Sequence, residues 1–193
     1  MVQSTGPKKI KCAVFISGAG SNLKSLIQFS KKKTSPISIE LIISDNTKAR
    51  GLKYGKIFKI SNKVFNYKNK VIAEKKIISK MKYKKIKLIC LAGFMRILSK
   101  DFIKSFKGQI LNIHPSLLPK YKGLNTHLRA ISNSEKYSGC TVHFVNSRLD
   151  SGKIILQKKV RISKVDTAKS LGKKILIQEH KLYPKAISKV FSL

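Results

Sequence analysis

Ile10–Asn22, IKCAVFISGAGSN, running on into LKSLIQFS up to Ser30, is the stretch on which the reading of the fold turns. A short apolar run rich in strand formers meets a glycine turn, and the turn opens at once into a helix-like segment. That order leaves the free first-turn amides and the positive end of a helix dipole beside a strand's carboxyl end, where an anion is favoured. Gly18 and Gly20 supply the tight backbone, while Ser21 and Asn22 are suited to cap the helix and to donate to phosphate oxygens. Taken alone, the turn also fits a plain helix start. It lacks the third glycine of a dinucleotide fingerprint and the Lys-Ser/Thr pair of a triphosphate loop.

Outward from this unit the same alternation continues. A polar connection, Lys31–Ile37, leads to a second strand over Ile37–Ser44. Asp45–Gly55 reads as a turn, a short helix and a glycine stop, and Lys56–Ile60 as a marginal strand. Asn69–Met81 carries Val71, Ile72, Ile77, Ile78 and Met81 near one helical face, and Ile86–Ala92 is the next strand. A helix beginning at Ser99 or Asp101 and ending near Gly108 precedes the fifth strand. Ser138–Val145 and the segment after Asp150 are further strands, and Val165–Val190 is mainly helical with Pro184 interrupting. Alternation of this kind predicts an α/β domain with a largely parallel sheet, whose ligands gather beyond the strands' carboxyl ends.

A second such end lies in LNIHPSLLP, Leu111–Pro119. Pro115 and Pro119 forbid a ladder or helix straight after the strand, so Asn112 and His114 stand where it opens into a loop. Residues two apart in an extended segment share a face, which sets an amide beside an imidazole. That pair suits polarising a carbonyl and stabilising an oxyanion. Asp150, in the turn before Ile154–Leu156, is a third group able to take up protons. On spacing alone, a strand-end histidine bonded to backbone and an ordinary turn aspartate fit as well. His143 reads equally as a core histidine or as a partner of the catalytic pair.

Composition limits the classes further. The chain has 193 residues, 42% of them apolar, enough for one domain with a substantial core. Its 42 Lys and Arg against 8 Asp and Glu give a formal charge of +34. Such a surface should attract polyanions and steer phosphorylated substrates, and non-specific adhesion to nucleic acid is expected. The lysines are scattered rather than gathered into a stripe, and no recognition helix, zinc-finger spacing or aromatic RNA-binding signature accompanies them, so no specific nucleic-acid partner is expected. Cys12, Cys90 and Cys140 are widely separated, which suits small reduced hydrophobes better than a disulfide frame or metal site. The N-terminal MVQSTGPKK lacks a signal-peptide core, and no apolar stretch approaches a membrane span, so a cytoplasmic protein without membrane association is expected.

Residue identity adds to this. LAGFMRILS (Leu91–Ser99), LNIHPSLLPKYKGLNTH (Leu111–His127) and VHFVNSRLDSGKIILQ (Val142–Gln157), with the N-terminal glycine turn, closely resemble the glycinamide ribonucleotide formyltransferase family. The resemblance extends from about Ile10 to Pro184. It implies a single Rossmann-like formyltransferase domain over residues 1–193, ending in a helix. The phosphate-binding half would occupy about 10–100, and the catalytic and folate-binding half about 88–193. It further implies transfer of a formyl group from 10-formyltetrahydrofolate, as co-substrate, to the amine of glycinamide ribonucleotide in purine biosynthesis, without a metal.

By the same resemblance, Asn112, His114 and Asp150 are catalytic, with Asn112 and protonated His114 facing the oxyanion. Gly20, Ser21 and Asn22 hold the substrate's 5′-phosphate, Glu179 its ribose hydroxyls, and Gly123 lies at its glycinamide end. Met95, Arg96, Ile97 and Leu98 form one wall of the pteridine pocket, and Lys68 meets the folate's glutamate tail. Without the resemblance, Met95–Leu98 reads as a packing loop and Glu179 as a surface glutamate. The chain departs from the family's usual residues at Ala19, Lys122, Asn125, Ser151 and Lys153. Methionyl-tRNA formyltransferase and formyltetrahydrofolate deformylase share the motif, but their additional domains would not fit in 193 residues. A non-catalytic nucleic-acid-binding protein would account for the charge alone. Either a monomer or a homodimer is compatible with the sequence.

Overall fold

A computed structural model describes residues 9–191; the stretch 1–8, which holds most of the N-terminal segment read above for a signal peptide, lies outside the described residues. Seven strands form one sheet: β1 (Ile10–Ile16), β2 (Ile37–Ser44), β3 (Asn62–Val64), β4 (Leu88–Leu91), β5 (Gln109–His114), β6 (Tyr137–Phe144) and β7 (Ile154–Arg161). Their spatial order is β3-β2-β1-β4-β5-β6-β7. The first five are parallel, and β6 and β7 each run antiparallel to their predecessor. The chain winds outward from β1 in one direction and from β4 in the other, so the β1–β4 boundary is the switch point at which the crevice opens.

Helices cover both faces. α1 (Ser21–Ser30) and the long C-terminal α6 (Ala168–Phe191) pack on one, where Val14, Ile16, Leu23, Ile27, Leu171 and Ile187 are fully buried. α3 (Lys70–Tyr83) and α4 (Lys100–Ser105) pack on the other against Phe15, Leu41, Ile43 and Ile89. β1 therefore buries alternate residues on opposite faces, which is why it reads as a continuous apolar run. α3 and α4 begin where side-chain caps allow: Asn69 Oδ1 accepts from Ile72 N–H at 3.0 Å, and Ser99 Oγ from Phe102 N–H at 3.0 Å. The remaining helices are α2 (Lys53–Phe58) and α5 (Thr126–Ser132).

Three local expectations fail. Lys56–Ile60 is not a strand: a 3-10 turn at Arg50–Leu52 continues as α2 through Gly55 and ends at Lys59 (φ 55°). A short apolar run does not distinguish helix from strand, and the edge place falls to β3 instead. Ser21 and Asn22 do not cap α1; Gly20 is the N-cap, in the left-handed region (φ 74°), and no side chain satisfies the first-turn amides. A Cβ on Gly20 would lie 2.7 Å from the Gly51 Cα, so two glycines let the turn and the start of the 3-10 segment meet. Finally, α6 runs through Pro184 without a break. The proline removes the bond that His180 C=O would accept within the helix, and Ser25 Oγ donates to that carbonyl instead, at 2.8 Å.

Candidate active site

β5 and β6 pair so that Asn112 lies opposite His143 and His114 opposite Thr141. The β6–β7 hairpin then turns back and carries Asp150 (φ 44°) over both strands. Gly152 makes this possible, since a Cβ there would fall 1.6 Å from Phe144 O. Residues far apart in the chain thus meet. Asp150 Oδ1 accepts from Asn112 Nδ2 at 3.5 Å, and Asp150 Oδ2 lies 3.4 Å from His114 Nδ1. The Gly123 N–H donates to Asp150 Oδ2 at 2.9 Å, tying the carboxylate to the loop before α5.

Hydrogen-bond partners fix the proton positions. His143 Nδ1 is 2.8 Å from Phe144 O and must donate to it, which leaves Nε2 to accept from Asn112 Nδ2 at 3.2 Å. His143 is thereby a direct partner of Asn112, one of the two roles its sequence left open. His114 Nε2 lies 2.9 Å from the Tyr121 carbonyl and its Nδ1 faces Asp150, so both ring nitrogens meet acceptors. Only an imidazolium satisfies the two together.

Burial opposes that charge. It pushes His114 below the ordinary 6.5, with His143 and Arg129 adding to the effect, while the Tyr121 carbonyl and Asp150 work against it. The resting ring is biased toward neutrality, and negative charge arriving nearby would favour the second proton. For Asp150, burial by itself would raise the pKa. The bond from the Gly123 amide and the neighbouring His114 outweigh it and hold the carboxyl below 3.8, ionised at neutral pH. Glu179 is the opposite case: burial raises it above 4.5 despite the bond from Asn22 Nδ2 at 2.7 Å.

Burial also lowers His127 and His180 from 6.5. For these two and His114 the folded pKa lies below the unfolded value, so the unfolded chain takes up protons first as pH falls. The stability these three rings contribute is complete above about pH 6.5 and declines below it. Glu179 alone among the site residues works the other way. Urea unfolding at about pH 5.5 should give a smaller unfolding free energy than at about pH 7.5. An equal or larger value would contradict the burial of these rings.

The cluster opens into a cavity of about 580 Å³ whose lining includes both Asn22 with Glu179 and the 93–98 loop. Asn112, His114, Asp150, Gly123 and the segment Met95–Leu98 all line it. Leu98 is buried, whereas the side chains of Met95 and Ile97 are more than half exposed, giving an apolar rim. Arg96 turns toward Asp45, with Nε 2.6 Å from Oδ2. Glu179 is 6% exposed and so is no surface glutamate. Gly20 and Ser21 form the N-terminus of α1 beside Asn22, whose Oδ1 is buried without a partner. Lys68 is exposed and lies outside the lining. Lys122, at one departure from the usual family residues, donates to Ser151 Oγ, at another, at 2.6 Å.

Sequence reasoning missed the Tyr121 carbonyl, because backbone acceptors leave no residue signature, and it gave Ser17 and Asp45 no role. Among the described residues no three His, Cys, Asp or Glu side chains form a group able to hold a metal ion, and no helix is long and apolar enough to cross a membrane.

The profile described as formyl transferase matches residues 10–187. The trifunctional purine biosynthetic protein adenosine-3 of Homo sapiens is 42% identical over 188 residues, 96% of this chain, and the chain spans only 19% of that relative's length. The phosphoribosylglycinamide formyltransferase of Haemophilus influenzae is 42% identical, covering 92% of this chain and 85% of the relative. A crystal structure of phosphoribosylglycinamide formyltransferase from Brucella melitensis superposes with a TM-score of 0.91 at 40% identity, over 96% of this chain and 97% of that one.

Proposed function

Because the chain belongs to the formyl transferase family, we propose that it transfers the formyl group of 10-formyltetrahydrofolate to the amine of glycinamide ribonucleotide, a step of purine biosynthesis. The observation that carries this reading is the meeting of Asn112, His114 and Asp150 in the lining of one cavity that also takes in two sets of residues of different chemistry. One set is the unpartnered Asn22 oxygen and the Glu179 carboxyl, with the uncapped amides of α1 beside Asn22 although Gly20 and Ser21 are not themselves in the lining, suited to a sugar phosphate. The other offers a loop backbone under apolar side chains, suited to a flat ring that forms hydrogen bonds at its edge.

The amine nitrogen attacks the formyl carbon, and the carbonyl oxygen takes the negative charge. The Asn112 amide and the His114 ring, which gains its second proton most readily beside an anion, stabilise that oxygen. The bond from carbon to the folate nitrogen then breaks. The amine loses one proton and the folate nitrogen gains one, so the transfer is proton-neutral overall. Asp150 holds its charge beside His114 and relays the proton directly or through water. Holding the two substrates in register supplies much of the remaining acceleration. In this reading Gly20, Ser21 and Asn22 take the phosphate, Glu179 the ribose hydroxyls, Gly123 the glycinamide end, and Met95–Leu98 the pteridine. Lys68 reaches the glutamate tail from outside the cavity, and the cytoplasm is the site of action.

The test supplies purified protein with 10-formyltetrahydrofolate and, in turn, glycinamide ribonucleotide, charged tRNA or water alone. Folate release should require the ribonucleotide. Release with tRNA or water alone, or none with the ribonucleotide, refutes the assignment.

A further inference from the structure

Ser17, the last residue before the glycine turn, does not line the cavity yet bonds to a loop that does. Its N–H donates to Gly93 O at 3.0 Å, and its hydroxyl donates to Asp45 Oδ1 at 2.5 Å and accepts the Met95 N–H at 2.8 Å. The other oxygen of Asp45 accepts Arg96 Nε at 2.6 Å. The Asp45 side chain is 5% exposed and that of Arg96 52%, so the carboxylate is buried while its cation stays near solvent. The far end of the loop is fixed in the same manner: the Ser99 N–H donates to Glu74 Oε1 at 3.0 Å, and the Ser99 hydroxyl donates to the other Glu74 oxygen. Glu74 is also buried. None of Ser17, Asp45 and Glu74 lines the cavity.

We propose that Ser17 and Asp45 are positioning residues for the formyl donor, acting through the backbone of the 93–98 loop; the inference rests on the formyl-transfer reading above. Gly93 (φ 77°) gives the loop a bend; Phe94 packs edge-on against Phe15 and Tyr67 and Leu98 is buried, but Met95 and Ile97 between those anchors are exposed, so the middle of the loop has no buried apolar side chain to hold it. Its shape therefore depends on polar clamps at Met95, Arg96 and Ser99. Without the Ser17 hydroxyl, the Met95 amide loses its acceptor and the Asp45 carboxylate loses a charge-assisted bond. A loop freed in this way must be ordered by the ligand, which weakens binding without changing the reacting groups. The phosphate turn has an independent tie, the Gly51 N–H to Gly18 O bond at 2.9 Å, so the acceptor substrate should not feel the change.

The experiment is steady-state kinetics of Ser17→Ala, Ser17→Thr and Asp45→Ala with each substrate varied in turn, alongside thermal melts. Ser17→Ala is expected to raise KM for 10-formyltetrahydrofolate about tenfold, the loss of one hydrogen bond to a charged network. kcat and KM for glycinamide ribonucleotide should stay within about twofold. Ser17→Thr, which keeps the hydroxyl, should restore the donor KM, and Asp45→Ala, which removes its anchor, should raise it. Amide exchange at Met95 in the ligand-free protein should quicken in Ser17→Ala. A donor KM that does not move, or one that rises together with the ribonucleotide KM, overturns the proposal. An unaltered protein that fails to turn over this substrate pair refutes the parent reading instead. In that case Met95 exchange still decides whether Ser17 holds the loop.

Discussion

Asp150→Asn should lower kcat by at least about a hundredfold at neutral pH while leaving the fold intact. Asparagine tolerates the left-handed backbone at this position (φ 44°), and its amide oxygen can still accept the Gly123 N–H. The hairpin should therefore keep its shape. What disappears is the negative charge 3.4 Å from His114 Nδ1. With burial already pushing that ring toward neutrality, removing Asp150 takes away one of the two contacts that oppose the effect. The imidazolium would then be unavailable when the oxyanion forms, and the proton leaving the amine would have no carboxylate to receive it. Both deficits act on the transition state, so kcat and kcat/KM should fall together with KM for the ribonucleotide little changed. Saturating steady-state kinetics with circular dichroism of the purified variant is the check. Turnover within about tenfold of the unaltered protein would remove Asp150 from the mechanism.

Asn112→Ala is expected to be comparably severe, for a different reason. Loss of one donor to a developing oxyanion costs on the order of 3 kcal/mol, again about a hundredfold in kcat. Asn112 Nδ2 lies 3.2 Å from His143 Nε2 and 3.5 Å from Asp150 Oδ1, so the amide is oriented before substrate arrives, and the N–H on the longer contact to Asp150 is the one that turns to the oxyanion. Alanine leaves His143 Nε2 without its donor, a modest structural cost on a strand otherwise fixed by its ladder. Single-turnover formyl transfer should show the deficit in the chemical step, with donor binding nearly unchanged. A rate close to normal would mean that the oxyanion is met by other groups.

The acidic residues make sense of a composition that otherwise obscures function. Of the eight, Asp150 and Glu179 line the cavity, and Asp45 and Glu74 clamp one of its loops. Glu135 accepts from Lys120 and from Tyr121, whose carbonyl holds His114. Asp166 holds the approach to α6 through Ser163, Ser170 and Lys174. In a chain of charge +34, six of the eight carboxylates are thus bound into particular contacts, and the lysines are largely solvated. Charge alone pointed toward polyanion partners; the placement of the few acids points back to the cavity.

The amino-acid sequence by itself determined the alternation of strand and helix, the glycine turn at the end of β1, and the pairing of Asn112 with His114 on one face. Each follows from the local period, from backbone freedom or from residue chemistry, all of which are written within a few positions. Where the local signal was thin it misled: Lys56–Ile60 became the end of a helix, and Pro184 was absorbed because Ser25, far away in the chain, answers the carbonyl it leaves free. Tertiary structure alone decided that Asp150 reaches the β5 pair, that His143 rather than solvent meets Asn112, and that Ser17 and Asp45 clamp the 93–98 loop. Those contacts depend on the order and register in which β1, β4, β5 and β6 lie side by side. That order is fixed by burial of the central strands between two helical layers, and no short stretch of residues contains it.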